Sequence, residues 1–218
     1  MLTIIIIVLT VLISYNAFRN YALMDRLIFY PPAVKRGEWY RLFTYGVLHA
    51  DYMHLAFNMF TLFIFGQHIE RVFRMAFGEI TGSILFILLY ITALFVSILP
   101  TYSKQQNNGY YRGLGASGAV SAIVFAHILL NPMSFMGILF IPIWLPAFLF
   151  GFIFILISMQ LDKKQVGGIN HSAHIVGAIY GMAFTFLVFF VMRGINLVER
   201  FFAQIQINSI DDIIRFGF

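Results

Sequence analysis

Long apolar runs, separated by short stretches rich in charge, glycine and proline, dominate the chain. Six can be bounded, at about 2–18, 54–69, 80–99, 114–130, 137–161 and 170–192. Each holds about 16–25 residues, near the ~20 that an α-helix needs to cross ~30 Å of hydrocarbon. Backbone groups inside lipid must be paired within the segment, which predicts helices. The unbroken apolar residues 4–8 do not fit the alternation of an outer-membrane barrel. The pattern therefore predicts an all-α polytopic membrane protein, a six-transmembrane-helix bundle over 1–192. Pro100 is expected to end the third run, and Pro142 and Pro146 to lie near the start of the fifth. Residues 19–53 form a long connection, expected to lie partly in the interface. The tail 193–218 mixes apolar and charged residues and reads as an interfacial amphipathic helix. The first run lacks a basic leader and a small-residue cleavage site, which speaks against a signal peptide.

Composition agrees with this reading. Hydrophobic residues make up 61% of the 218 and charged residues 11%, against about 25% charged in soluble domains. That excludes a soluble enzyme, a disordered chain and a nucleic-acid-binding domain. The net charge of +5 comes from a shortage of acids, 9 against 14 bases, and not from a basic patch. With no cysteine there is no disulfide or thiolate chemistry. Nine Lys and Arg lie in the odd-numbered connections and five on the other side. Taken alone, the positive-inside rule would put the odd connections in the cytoplasm.

Polar groups within apolar runs mark function by default. Here they are His54, Asn58, Ser117, Ser121, His127, His171 and His174. In an up-and-down bundle, runs two, four and six start on one face of the membrane. His54, Asn58, Ser117 and His174 all lie near those starts, within about two helical turns of one surface. His54 and Asn58 are spaced i,i+4 and share a helix face. Ser117 stands among Gly113, Gly115 and Gly118, a glycine density that suits close backbone approach or free amide groups. Ala173, Gly177 and Gly181 repeat every four residues, the small-residue stripe that lets helices meet closely, and His174 adjoins it. A serine within reach of a histidine is a nucleophile with a general base. Asn58, His54 and the amide of Ser117 could stabilise an oxyanion.

Other chemistries fit less well. Six histidines invite a metal, but there is no H-E-x-x-H, and His49 and His54 are wrongly spaced for one helix face. No metal or cofactor is expected. Two buried aspartates for an aspartyl protease are not available. Bis-histidine haem ligation would need neither Ser117 nor the glycines, and a small transporter would call for midplane charge.

The motifs resemble those of the rhomboid family of intramembrane serine proteases. Trp39–Thr44, Leu48-His49 and the H-x-x-x-N of His54 and Asn58 resemble its first loop and second helix. Gly66 to Glu70 resembles the end of that helix. Gly115-Ala116-Ser117-Gly118 resembles its nucleophile motif, and Ala173-His174-Ile175-Val176-Gly177 with Gly181 its base-bearing helix. The resemblance implies Ser117 as nucleophile, His174 as base, and His54, Asn58 and the Ser117 amide as oxyanion donors. It implies transmembrane protein substrates, contact with membrane lipids, and a site facing the extracytoplasmic side with both termini cytoplasmic. The plasma membrane of a bacterium is the expected location. An inactive relative that only binds transmembrane segments would lack the nucleophile or the base. One departure is Ser121, where many relatives carry a tyrosine that packs on the histidine.

Lesser expectations complete the reading. His49 and Arg41 should shape the first loop, and His127 should be structural. His171 should sit at the water boundary. Glu70 and Arg71 should cap the second run at the interface. Phe63, Phe65, Phe73 and Phe77 should face lipid or core. The fifth run is a candidate moving element.

Overall fold

The structure, a computed structural model, describes residues 1–137, 141–164 and 170–217. Helices α1 (Leu2–Ala17), α7 (Glu79–Gln105), α8 (Ser117–Leu130), α9 (Ala147–Lys164) and α10 (His171–Arg193) lie on five of the apolar runs. The second run is composite. Helix α5 (Tyr52–Thr61) passes through a π-helical turn at Leu62–Gly66 into α6 (Gln67–Phe77). Short helices α2 (Tyr21–Leu27), α3 (Pro31–Lys35) and α4 (Arg41–Thr44) and a 3-10 turn at Tyr45–Val47 occupy the first connection. Helices α7 and α10 are each long and apolar enough to cross a membrane, and α1, α8 and α9 are shorter apolar helices.

Large apolar side chains face outward as well as inward. Helix α1 buries Thr3, Thr10, Ser14 and Ala17 on one face and exposes Ile5, Val8, Leu9 and Leu12. Helix α7 turns Gly82, Phe86, Leu89, Ala93 and Ser97 inward and presents Ile80, Ile84, Leu88 and Ile91 outward. Exposed aliphatic stripes of this length would aggregate in water. An apolar outer surface suits a hydrocarbon solvent, and small residues at the helix contacts allow close backbone packing.

Helix α8 is the central element. Its Ala119, Ala122, Ile123 and Ala126 are completely buried, packed between α7 and α10. The contact with α10 is backbone on backbone. A Cβ on Gly177 would lie 2.1 Å from the Gly118 carbonyl oxygen, and one on Gly181 would lie 2.0 Å from that of Ala122. No side chain fits at either place, which gives the stripe expected at Ala173, Gly177 and Gly181 its physical reason.

Four expectations about the fold are corrected by the structure. Pro100 does not end the third run, because α7 continues through it to Gln105. A proline removes the bond to the carbonyl four residues back, here Val96, and a helix can pass if that loss is local. Second, the fifth run does not begin as a helix. Strands β1 (Phe135–Gly137) and β2 (Ile143–Pro146) form an antiparallel hairpin with Met136 opposite Leu145, and α9 starts only at Ala147. Pro142 and Pro146 push the residues before them to extended backbone, which favours a strand here. Residues 138–140 of that run lie outside the described residues. Third, the tail is only briefly helical, in α11 (Leu197–Gln204), which the Asn196 side chain caps, and in a 3-10 turn at Ile210–Asp212. It then returns as β3 (Arg215–Phe216) to pair with β2, giving the sheet order β1-β2-β3; residue 218 lies outside the described residues. Fourth, Glu70 is not an interfacial cap of its own helix. It is buried and accepts hydrogen bonds from the N–H groups of Leu2 (2.8 Å) and Thr3 (2.9 Å) and from the Thr3 hydroxyl (2.7 Å). It thereby satisfies the orphan donors at the start of α1.

Candidate active site

Ser117 is the first residue of α8. The first bond inside that helix is Val120 N–H to the Ala116 carbonyl, so the amides of Ser117, Gly118 and Ala119 have no intrahelical partner. They sit at the positive end of the helix dipole, an environment that favours negative charge. Gly115 adopts φ +118°, a backbone that L side chains rarely take, and a Cβ there would stand 2.8 Å from the His54 ring. Glycine is required both by the turn into α8 and by the approach of His54.

The first connection holds this turn in place. Phe29 and Gly113 exchange backbone hydrogen bonds at 2.9 and 3.0 Å, and Gly115 N–H reaches the Tyr45 carbonyl at 3.0 Å. Tyr45 is buried and donates to the Leu94 carbonyl of α7 at 2.7 Å. Arg41 is buried and donates to the carbonyls of Asp25 and Ile28, with Glu38 as its counter-ion at 2.7 Å. The Arg41 guanidinium hydrogen bond holds the Glu38 carboxyl below its ordinary pKa. Arg41 thus shapes the loop as expected. So does His49, fully buried with Nδ1 3.0 Å from the Ser14 hydroxyl of α1.

His174 lies in the first turn of α10, which starts at the Asn170 cap. That side chain accepts from Ala173 N–H at 3.1 Å and is tied to Thr101 of α7. The Nε2 of His174 stands 2.7 Å from the Ser117 Oγ. With the imidazole neutral and its proton on Nδ1, the hydroxyl donates to Nε2. The Phe154 ring of α9 lies nearly parallel to the imidazole, 28° between planes and 6.2 Å between centres, and His171 meets it edge-on at 5.8 Å. Ser121 is buried in α8 and lines the same cavity.

Asp51 caps α5 by accepting from His54 N–H at 2.8 Å. Asn58 Nδ2 donates to the His54 carbonyl at 2.9 Å, which occupies one of its two N–H donors. A cavity of about 340 Å³ opens on Ser117 and His174 and is lined by Asn58, Thr61, Phe65, Val120 and Phe154 among others. A second, of about 420 Å³, lies between the hairpin and α9 and shares His174, Met136, Gly137 and Phe154 with the first.

The structure therefore brings Ser117, His174 and Asn58 to one cavity, with His54 against Gly115 beside it. His171 is buried near His174 and not at an open boundary. His127 lies apart, paired with Ser134 at 2.8 Å and stacked edge-on with His68 and Phe65. Of the four phenylalanines, Phe73 and Phe77 are core, Phe63 is exposed and Phe65 is half-buried against the cavity. Sequence reasoning missed Phe154. It stands in an apolar run with nothing to distinguish it, and only the Ser121 departure signalled that His174 needed another ring.

Comparison with known proteins places the chain in a family. Residues 36–190 match the family model described as the Rhomboid domain. RHOMBOID-like protein 12, a mitochondrial protein of Arabidopsis thaliana, is 28% identical over 176 residues, covering 77% of this chain and 52% of its own length. The rhomboid protease GlpG of Haemophilus influenzae is 29% identical over 171 residues, 74% of this chain and 76% of that one. The rhomboid protease AarA of Providencia stuartii is 28% identical over 160 residues, 66% and 54%. The chain thus spans about half the length of two of these relatives and three quarters of the third. A family match over most of the chain, with the motif residues gathered at one cavity, identifies this protein as a member of the rhomboid family.

Proposed function

We propose that the chain is an intramembrane serine endopeptidase that cuts membrane proteins in or near a transmembrane segment. Ser117 Oγ attacks the peptide carbonyl carbon while His174 Nε2 takes its proton. The negative oxygen of the tetrahedral intermediate meets the free amides at the start of α8, the second N–H of Asn58, and His54. His174 then protonates the leaving amine, and an acyl-enzyme on Ser117 remains. Water, deprotonated by the same histidine, releases the acid and restores the hydroxyl. Residues 1–192 form the membrane domain, with six crossings, in the plasma membrane of a bacterium, and the cavity opens to the extracytoplasmic side.

The observation that carries this reading is the 2.7 Å contact between Ser117 and His174 on an open cavity. Relatives named as proteases and the outward-facing aliphatic stripes of α1 and α7 support it. The test is labelling with a fluorophosphonate in detergent. Wild type should label, and Ser117→Ala and His174→Ala should not. Undiminished labelling of Ser117→Ala removes the assignment.

A further inference from the structure

The hairpin before α9 is wall to both cavities: Met136 and Gly137 line each of them. Its outer edge is occupied by the tail. Phe216 pairs with Ile143 and Arg215 with Trp144. Gly217 N–H donates to the Pro142 carbonyl at 3.2 Å, and Trp144 Nε1–H to the Gly217 carbonyl at 2.7 Å. The Arg215 guanidinium lies 3.7 Å over the Phe135 ring.

Strand alternation fixes what each position meets. Arg215, opposite Trp144, shares a face with Trp144 and Phe135, an aromatic surface that suits a cation. Phe216, opposite Ile143, shares the other face with Met136 and Leu145, which with Ile143 line the second cavity. The attachment is slight. Among the described residues two pairs are in register, Phe216 is 74% exposed, and 205–208, before the 3-10 turn at Ile210–Asp212, have neither helix nor strand. Main-chain pairing with two side-chain readouts is the form of strand addition by which an extended peptide binds a sheet edge.

We propose that the outer edge of β2 is a binding site for an extended polypeptide, held here by Arg215–Gly217 as its resident occupant, and that it reads a basic residue followed by an apolar one. That pattern occurs where a basic flank leads into an apolar span. The fitting partner is the segment bordering a transmembrane helix of another membrane protein. Exchange of the resident strand for such a segment would hold a substrate against the wall of the cavity that contains Ser117. This consequence rests on the protease reading; the edge site itself does not.

The test uses the full chain in detergent with Ser117→Ala, so that nothing is cut, and a fluorescent peptide of sequence Ile-Ile-Arg-Phe-Gly-Phe. Adding Arg215→Glu should release the resident strand and tighten peptide binding at least about tenfold. A peptide with Glu in place of Arg should not bind. The chain has no cysteine of its own, so Ile143→Cys with Phe216→Cys makes a lock that is closed on oxidation and open on reduction. The oxidised form should not bind peptide, and the reduced form should. Equal binding by locked and unlocked chains, or by both peptides, overturns the site. In the Ser117 chain, locking should raise KM for a single-span protein with a basic flank about tenfold and leave fluorophosphonate labelling unchanged. Cleavage indifferent to the lock refutes the site and spares the protease reading. Peptide binding as expected without any cleavage does the reverse.

Discussion

Gly177 of α10 rests directly on the backbone of Gly118 in α8, with no room for a methyl group between them. Gly118 follows Ser117 by one position, and Gly177 lies three residues, nearly one turn, after His174. The separation of these two backbones therefore sets the distance between hydroxyl and imidazole. Gly177→Ala would force the helices apart against backbone atoms that cannot yield. A displacement of about 1 Å can cost ~10²-fold in rate. Labelling of Ser117 by fluorophosphonate should fall at least about tenfold in Gly177→Ala. Wild-type labelling in that variant would mean the contact does not set the dyad.

Phe154 provides the imidazole with a ring that Ser121 does not. Aromatic contacts of this kind are worth about 0.5–1.5 kcal/mol. Phe154→Leu keeps apolar bulk and loses the ring, so the labelling rate should drop about two- to tenfold, while Phe154→Tyr should stay near wild type. Equal rates for leucine and phenylalanine would leave His174 supported by α10 alone.

His49 carries a pH signature. Burial pushes its pKa from 6.5 down to about 3, the neighbouring His54 adds to that, and Asp51 partly opposes it. The unfolded chain takes up a proton near pH 6.5, whereas the folded chain stays neutral at this ring until about pH 3. Between those values the unfolded state binds more protons, so stability rises with pH. This contribution is complete above 6.5 and is lost progressively as pH falls toward 3. The apparent Tm in detergent should drop between pH 7.5 and 5, and less steeply in His49→Asn, which retains a donor for Ser14. An unchanged pH slope in that variant would assign the effect elsewhere.

The pairing of Ser117 with His174 was legible in the sequence because long apolar runs leave few polar residues to choose among. Once runs two, four and six share a face, Ser117 and His174 have little freedom to be elsewhere. The stripe at Ala173, Gly177 and Gly181 was legible for the same reason, since spacing alone defines a helix face. The hairpin and β3 were not. Residues 141–146 are as apolar as a helical crossing, and hydropathy cannot separate the two; Pro142 and Pro146 are the only local signal, and prolines near the start of a run are also compatible with a helix. The tail strand pairs with a partner some seventy positions away in sequence, beyond any local pattern. Glu70 was misplaced because a carboxylate at a helix end is usually solvated, and nothing nearby in sequence announces the amides of Leu2 and Thr3 as its partners.

The π-helical turn at Leu62–Gly66 gives the second run a change of phase. In an α-helix each residue advances the azimuth by about 100°, and a π turn, with more residues per turn, advances each by less and so shifts the phase at one point. The upper half of the rod can then point Asn58 at the cavity while the lower half independently points Glu70 at the first helix. A regular α-helix through the same residues would couple the two directions, and a deletion within the turn would swing the lower half off its anchor while the upper half kept its aim.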